Sequence, residues 1–269
     1  MTRPTIVDTF MFNNELDILQ MRLEELYNAV DHFVLVEAKV DHQDHPKPLH
    51  YAENRERFKP WADKIVHVIA GDMPTKAQDN DPWAREHAQR EFIADGVARL
   101  GLVGSDIILE SDVDEIPRAL HTRNVRPNGK IWAFGQRGHF WAVDWLYSAP
   151  WYGTTCTTVD TLARMAKVPG ARPFAYLRDV RITAECPAHL QDAGWHFSWL
   201  GGAEAALKKV GSFCHPEVEQ QIRDGLTSDQ FLRQGVHVDG VKMHPVEVNE
   251  EWPAFIRERR CPADWFRPR

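Results

Sequence analysis

The sequence predicts an α/β fold, a mixed central sheet flanked by helices. Three observations carry that prediction. Before residue 117, short apolar runs alternate with helical stretches, the order of parallel βαβ units. Beyond it, the runs turn aromatic and β-branched and are separated by short turns, as in antiparallel strands. Between the two, residues 106–117 read Asp-Ile-Ile-Leu-Glu-Ser-Asp-Val-Asp-Glu-Ile-Pro, a buried-strand pattern that stops at acids.

Residues 5–10 form the first predicted strand, ending near Asp8. Asn13 or Asn14 can cap the helix that follows, with Glu15 and Asp17 in its first turn. Leu16, Leu19, Leu23, Leu26 and Val30 recur at steps of three and four, the clearest helical period in the chain. Residues 33–36 are a second strand, ending at Glu37. Residues 39–51 read as a loop over the carboxyl edge of the sheet, with Lys47 between two prolines. Residues 53–61 suit a short helix, and residues 64–70 a third strand. After a polar loop, Asp81-Pro82 starts a helix with Pro in its first turn, running towards Leu100. Residues 107–109 are the strand before the acids.

After Pro117, residues 130–134, 139–147 and 151–158 read as strands, with turns at 135–138 and 149–150. Residues 161–167 suit a short helix, residues 169–179 a loop, and residues 194–200 a last strand or turn. Residues 202–210 and 216–225 are helical. The tail from Pro245 has no clear period. With no repeat or linker, the expectation is one domain over 1–269. Residues 1–117 make its nucleotide-type half, and residues 118–269 its acceptor half.

An apolar fraction of 43% and a charged fraction of 26% are those of a soluble globular protein. A net charge of −7 argues against general nucleic-acid binding. The four cysteines show neither Cys-x-x-Cys nor zinc spacing. They read as reduced thiols, and the expected location is cytoplasmic. No integral membrane segment is expected, and the oligomeric state stays open.

Asp112 and Asp114 are two apart, so in an extended segment they point to one side. Two carboxylates at a strand's carboxyl end suit a hard divalent cation such as Mg2+ or Mn2+, and such a cation suits a diphosphate. The rival is an acidic, solvated turn. An EF-hand is excluded by Ile116-Pro117, and no P-loop or Gly-x-Gly-x-x-Gly is present. A haloacid-dehalogenase-type phosphatase would use Asp112 as nucleophile, but Ile116 stands where its Thr or Val belongs. A nucleotide-sugar glycosyltransferase fits the topology. A sugar-binding module without catalysis would suit the ten tryptophans, since aromatic faces stack on sugar rings.

Five segments then resemble glycosyltransferase family 17, the family of the bisecting N-acetylglucosaminyltransferase of N-glycans. They are Phe12-Asn-Asn-Glu-Leu-Asp-Ile-Leu-Gln-Met-Arg-Leu-Glu-Glu-Leu, Val30-Asp-His-Phe-Val-Leu-Val-Glu-Ala, Pro46-Lys-Pro-Leu, Ser111-Asp-Val-Asp-Glu-Ile-Pro and Ala193-Gly-Trp-His-Phe-Ser-Trp. The resemblance implies a GT-A-type nucleotide-diphospho-sugar transferase fold, a UDP-sugar donor, a divalent metal and inversion. The family also points to N-acetylglucosamine as the sugar and a carbohydrate as acceptor. It implies Asp112 and Asp114 at the metal, with His196 as a third ligand from late in the chain. The alternative for His196 is a ring hydrogen-bonded between Trp195 and Trp199. Asp8, Glu37 and Arg90 match family positions near the nucleotide, and Lys47 or Arg85 would meet the diphosphate. Inversion needs a base for the acceptor hydroxyl. Glu185 and Asp192 lead for that role, with Asp144 and Glu115 also in range.

Overall fold

A computed structural model gives the fold and describes residues 3–183, 188–212, 214, 218–227, 230–231 and 233–267. The first half is β1 (Ile6–Met11), α1 (Leu16–Leu26), β2 (His32–Glu37), α2 (His50–Glu53), a 3-10 helix (Arg55–Trp61) and β3 (Ile65–Ile69). It continues through α3 (Pro82–Glu91), α4 (Ile93–Ala98), β4 (Ile107–Asp112), β5 (Glu115–Pro117) and α5 (Ala119–Asn124). Then come β6 (Trp132–Phe140), β7 (Trp145–Tyr147), β8 (Trp151–Thr158), α6 (Val159–Met165), α7 (Pro173–Val180) and β9 (Ala188–Ser198). The chain closes with α8 (Gly202–Val210), α9 (Val218–Thr227), β10 (Met243–Pro245), α10 (Ala254–Arg257) and a 3-10 turn (Ala263–Trp265).

One mixed sheet holds all ten strands, in the order β10-β7-β6-β8-β4-β1-β2-β3, with β9 beside β6 and β5 beside β9. The strands β3, β2, β1 and β4 run parallel. β8 runs antiparallel to β4 and to β6. β1 is buried along its whole length, as a central parallel strand covered on both faces must be. Ile6 and Phe10 pack with Leu19, Leu23 and Leu26 of α1, while Val7 packs with Ile93 of α4 and Leu177 of α7. A third cluster under the far end of the sheet is aromatic, built from Phe140, Trp141, Trp145, Trp199 and Phe231 with Ala206 and Ile222.

From β1 the chain moves outward to β2 and β3, then crosses back to place β4 on the other side of β1. Strand order therefore reverses between β1 and β4, the position where open α/β sheets bind ligands. In register, Val36, Met11 and Asp112 lie side by side, so Glu37 and Asp112 end on the same edge.

Several expectations need correction. The helix expected from residue 83 to Leu100 is two, α3 and α4, broken at Phe92. Asp81 caps α3, accepting from the Trp83 amide at 3.0 Å. Neither Asn13 nor Asn14 caps α1, whose flanking residue is Glu15. The glycine-bearing 135–138 stretch is no turn. β6 continues through it with an irregularity in register between Ala133 and Gln136, and Gly135 fits a close neighbour there, a Cβ lying 3.1 Å from the Leu190 carbonyl oxygen. Residues 169–179 are largely helix α7, with Pro173 at its start. The tail is not aperiodic coil, since Trp252, Phe255, Ile256 and Trp265 enter the main core. Cys156, Cys214 and Cys261 are buried and none of the three is in a disulfide, while Cys186 lies outside the described residues. Among the described residues, no helix is long and apolar enough to cross a membrane.

Candidate active site

The apolar run of β4 carries the chain through the core, and the turn after it must be held without a hydrophobic anchor. Arg22 holds it. Its place on the buried stripe of α1, three residues after Leu19 and four before Leu26, puts the guanidinium under the sheet's carboxyl edge. Nε and Nη2 clamp both oxygens of Asp8 at 2.7 and 2.6 Å. Nη2 also reaches Ser111 Oγ at 2.6 Å, and Nη1 donates to the carbonyl oxygens of Asp112, Val113 and Glu115. Asp8 is fully buried and serves this clamp, so it has no face to offer a nucleotide.

The clamp presents Asp112 and Asp114 to a cavity of about 310 Å3 at the carboxyl ends of β1 and β4. Met11, Phe12 and Asn13 form its β1 side, and Val40, Asp41, His42 and Lys47 a loop wall. Arg178 and Arg181 enter from α7 and the residue after it. Trp151, His196, Ser198 and Trp199 come from β8, β9 and the turn beyond, Lys209 from α8, and His237 and Asp239 from a later turn. A cavity of this size suits a small ligand, and its location is the switch point.

Each acid faces a protein cation. Arg90 reaches Asp112 Oδ1 at 2.6 Å and also pairs with Glu86 and Glu110. Burial pushes the Asp112 carboxyl up, but the guanidiniums of Arg90, Arg181 and Arg178 outweigh it and hold it well below the usual range. Lys209 Nζ lies 2.6 Å from Asp114 Oδ2 and 3.2 Å from Ser198 Oγ. Burial again raises the Asp114 carboxyl, and Lys209 and His196 more than offset it. Glu110, deeper and wholly buried, is raised to about 7 by burial despite Arg90.

His196 is brought to the site. Its Nε2 lies 3.6 Å from Asp114 Oδ2, because β9 pairs with β5 and sets His196 opposite Glu115. The ring is not lodged between Trp195 and Trp199; it stacks on Trp151 at 4.0 Å and meets Phe140 edge-on. Successive residues on a strand face opposite ways, which sends Trp195 into the main core instead.

These donors do not make a metal cage in this arrangement. Asp112 and Asp114 are each engaged by a cationic side chain. Among the described residues, no three His, Cys, Asp or Glu side chains are grouped to hold an ion.

The remaining expected residues separate. Lys47 lines the cavity, and burial lowers its pKa. Glu37 is buried, accepting from the amides of Tyr51 and Ala52 and from His67, so it secures the start of α2. Arg90 is buried beneath Asp112 and acts through it. Arg85 is buried, with Nε and Nη1 on the carbonyl oxygens of His42 and Asp79 and Nη2 without a hydrogen-bond partner among the described residues. Glu115 lies under the floor, bound by Arg181 at 2.7 Å and by Trp151 Nε1 at 3.0 Å. Asp192 is outside the cavity, half-exposed and paired with Arg118 and Arg137. Asp144 is paired with Arg267. Glu185 lies outside the described residues.

Sequence reasoning missed Arg22, Arg178, Arg181, Lys209, His237 and Asp239. Arg22 carried a signal, a charge on the apolar stripe of the clearest helix. Lys209 carried a fainter one, three residues after the buried Ala206. Arg178 comes from a segment read as loop, and Arg181, His237 and Asp239 from stretches to which the sequence reading assigned no element.

The sequence profile of glycosyltransferase family 17 matches residues 1–222. Beta-1,4-mannosyl-glycoprotein 4-beta-N-acetylglucosaminyltransferase of Rattus norvegicus is 26% identical over 273 residues, covering 91% of this chain and 51% of that protein. The Homo sapiens protein of the same name is 26% identical over 228 residues, covering 77% of this chain and 43% of its own length. The chain thus spans about half the length of the curated relatives it matches.

Proposed function

The chain belongs to glycosyltransferase family 17, and from that premise we propose that it transfers N-acetylglucosamine from a UDP-sugar to a carbohydrate hydroxyl, with inversion. The observation that carries this reading is the cavity beyond β1 and β4, where Asp112 and Asp114, with Glu15, Asp41 and Asp239 on the surrounding walls, stand among four cationic side chains, Lys47, Arg178, Arg181 and Lys209. The names of the relatives supply the sugar and the class of acceptor. A GT-A-type arrangement is part of the proposal, supported by the four parallel strands and the acids at the carboxyl end of β4.

A diphosphate leaving group carries charge that grows as the glycosidic bond breaks. Cations fixed in a partly desolvated cavity stabilise that charge without reorganising. Lys209 and Arg178 sit where they can meet it, while Arg181 is tied to Glu115 and the Gly153 carbonyl oxygen and contributes its field. Trp151 and Trp199 line the cavity, each with one face already stacked on His196 or His237.

Calorimetry with UDP, UDP-N-acetylglucosamine and GDP tests the reading. Binding selective for the uridine nucleotides, and at least ten-fold weaker in Asp114→Asn, is expected. A Kd for UDP unchanged in that variant removes Asp114 from the site. The titration is run in EDTA and in Mn2+ or Mg2+. Binding that demands the divalent ion would return a metal to Asp112 and Asp114, with Lys209 displaced.

A further inference from the structure

Among the described residues, the transferase reading leaves the role of acceptor base without a carboxylate. Of the carboxylates expected to serve as base, Asp192 and Asp144 are engaged elsewhere and Glu115 is beneath the floor. Asp112 and Asp114 are held by cations, Glu15 accepts from the Asn14 amide and faces Lys209, and the Asp41 carboxylate is taken up by the amides of Gln43 and His45 and by the His45 ring.

We propose that His237 is the general base that takes the proton from the attacking hydroxyl, and that Asp239 positions it and balances its charge once the proton has been taken. This rests on the transferase reading above. Both residues line the cavity, on the wall formed after α9. His237 is 6% exposed, and its Nε2 has no hydrogen-bond partner among the described residues. A buried imidazole nitrogen without a partner is costly in a purely structural role. Its Nδ1 lies 3.1 Å from Asp239 Oδ1, in an oblique approach that makes the contact an ion pair on protonation.

The surroundings fix the pair. His237 opens a tight turn in which its amide donates to Val241 O and its carbonyl oxygen accepts from Gly240, whose φ is 84°. Val236 and Lys242 bridge the two sides of that turn. The ring stacks on Trp199 at 5.0 Å and leans on Phe140 at 4.3 Å. Asp239 is held in turn by Tyr147 Oη at 2.6 Å and by the Val241 amide at 3.0 Å. A base oriented by a carboxylate that is itself oriented is the arrangement that proton abstraction from a hydroxyl uses. The titratable groups facing His237 are Asp239 on its own turn, Tyr147 on β7 and His196 on β9. Burial lowers the imidazole pKa, which favours the neutral form a base must have.

His196 is the weaker choice for this role. It stands beside Asp114, on which Lys209 also converges, at the end assigned to the diphosphate. His237 packs on the same Phe140 ring but pairs with Asp239 instead of Asp114, which leaves it for the acceptor.

In the step, the acceptor oxygen forms a bond to the anomeric carbon as the bond from that carbon to the diphosphate oxygen breaks. UDP leaves with the bonding electrons. The hydroxyl proton passes to His237 Nε2, and Asp239 balances the imidazolium.

The test uses the full chain, UDP calorimetry, and UDP release from UDP-N-acetylglucosamine with water as acceptor. His237→Gln is expected to keep the Kd for UDP within about two-fold. Its kcat for release should fall by at least about 100-fold, the low end for a lost general base. The acidic limb of the pH–rate profile should disappear. In Asp239→Asn that limb should move to lower pH, because the imidazolium loses its counter-charge. A His237→Gln enzyme that keeps both rate and limb overturns the assignment while the transferase reading stands. A parent that neither binds UDP nor releases it overturns both. If His237→Gln does not fold, His237→Ala with added imidazole decides: recovered rate supports the base, and an enzyme insensitive to imidazole refutes it.

Discussion

At the scale of single residues, Arg22 sets the position of the acids more than the acids themselves do. All of its N–H groups are committed, to Asp8, Ser111 and three carbonyl oxygens of the 112–115 turn. Arg22→Met strands the buried Asp8 carboxylate and should cost about 3–5 kcal/mol in urea unfolding, with UDP affinity lost in parallel. Arg22→Lys should rescue little, since an ammonium cannot span the same acceptors. The Asp114–Lys209 pair has a different signature. Asp114 is depressed in the folded state, so its contribution is full above the ordinary carboxylate range and is lost only as pH falls through the depressed folded value below that range. The melting temperatures of the parent and Lys209→Met should therefore differ most near about pH 7, and the difference should persist at about pH 4 and close only below the ordinary carboxylate range. The acids were legible in the sequence because an apolar run stops at them. Arg22 was legible only as a misfit on a leucine stripe. His237 was not legible, because its nitrogen is left unpaired by rings from strands far away in sequence.

At the scale of elements, β9 joins the two halves of the site. It runs parallel to β6 and antiparallel to β5, which carries the residues following the acids. Their close approach depends on Gly194, where a Cβ would strike the Ile116 carbonyl oxygen and lie 2.8 Å from Pro117 Cα. Gly194→Ala should separate β9 from β5, costing about 1–3 kcal/mol by thermal melting and weakening UDP binding as His196 withdraws. The early elements could be read because each has a strong period and a clear stop. β5 could not, since three residues ending in Pro carry no pattern of their own. α7 was hidden because Pro173 reads equally as loop or as the first turn of a helix.

At the scale of the molecule, β1 and β4 form the part of the sheet covered on both faces and paired on both sides. Hydrogen exchange should find the amides of residues 7–10 and 107–109 among the slowest, opening only with global unfolding. Amides of the 236–242 turn, held by a few local bonds at the surface, should exchange sooner. The general architecture was legible from the change of character at Pro117. The cavity was not, because its walls come from the loop after β2 and from α7, α8 and the 237–239 turn, which meet only when the sheet is complete.

The central place of β1 also governs how the protein is made. Ile6 pairs with Ile107, and Ile107 in turn pairs with Thr158. While a ribosome is still adding the intervening segments, the strand that ends up at the heart of the sheet has an open side. Such an edge is available to a neighbouring nascent chain. Rare codons before position 107 would prolong that window, whereas rare codons after position 158 would leave it untouched. The synonymous sequence of the first third of the gene should therefore influence soluble yield more than that of the last third.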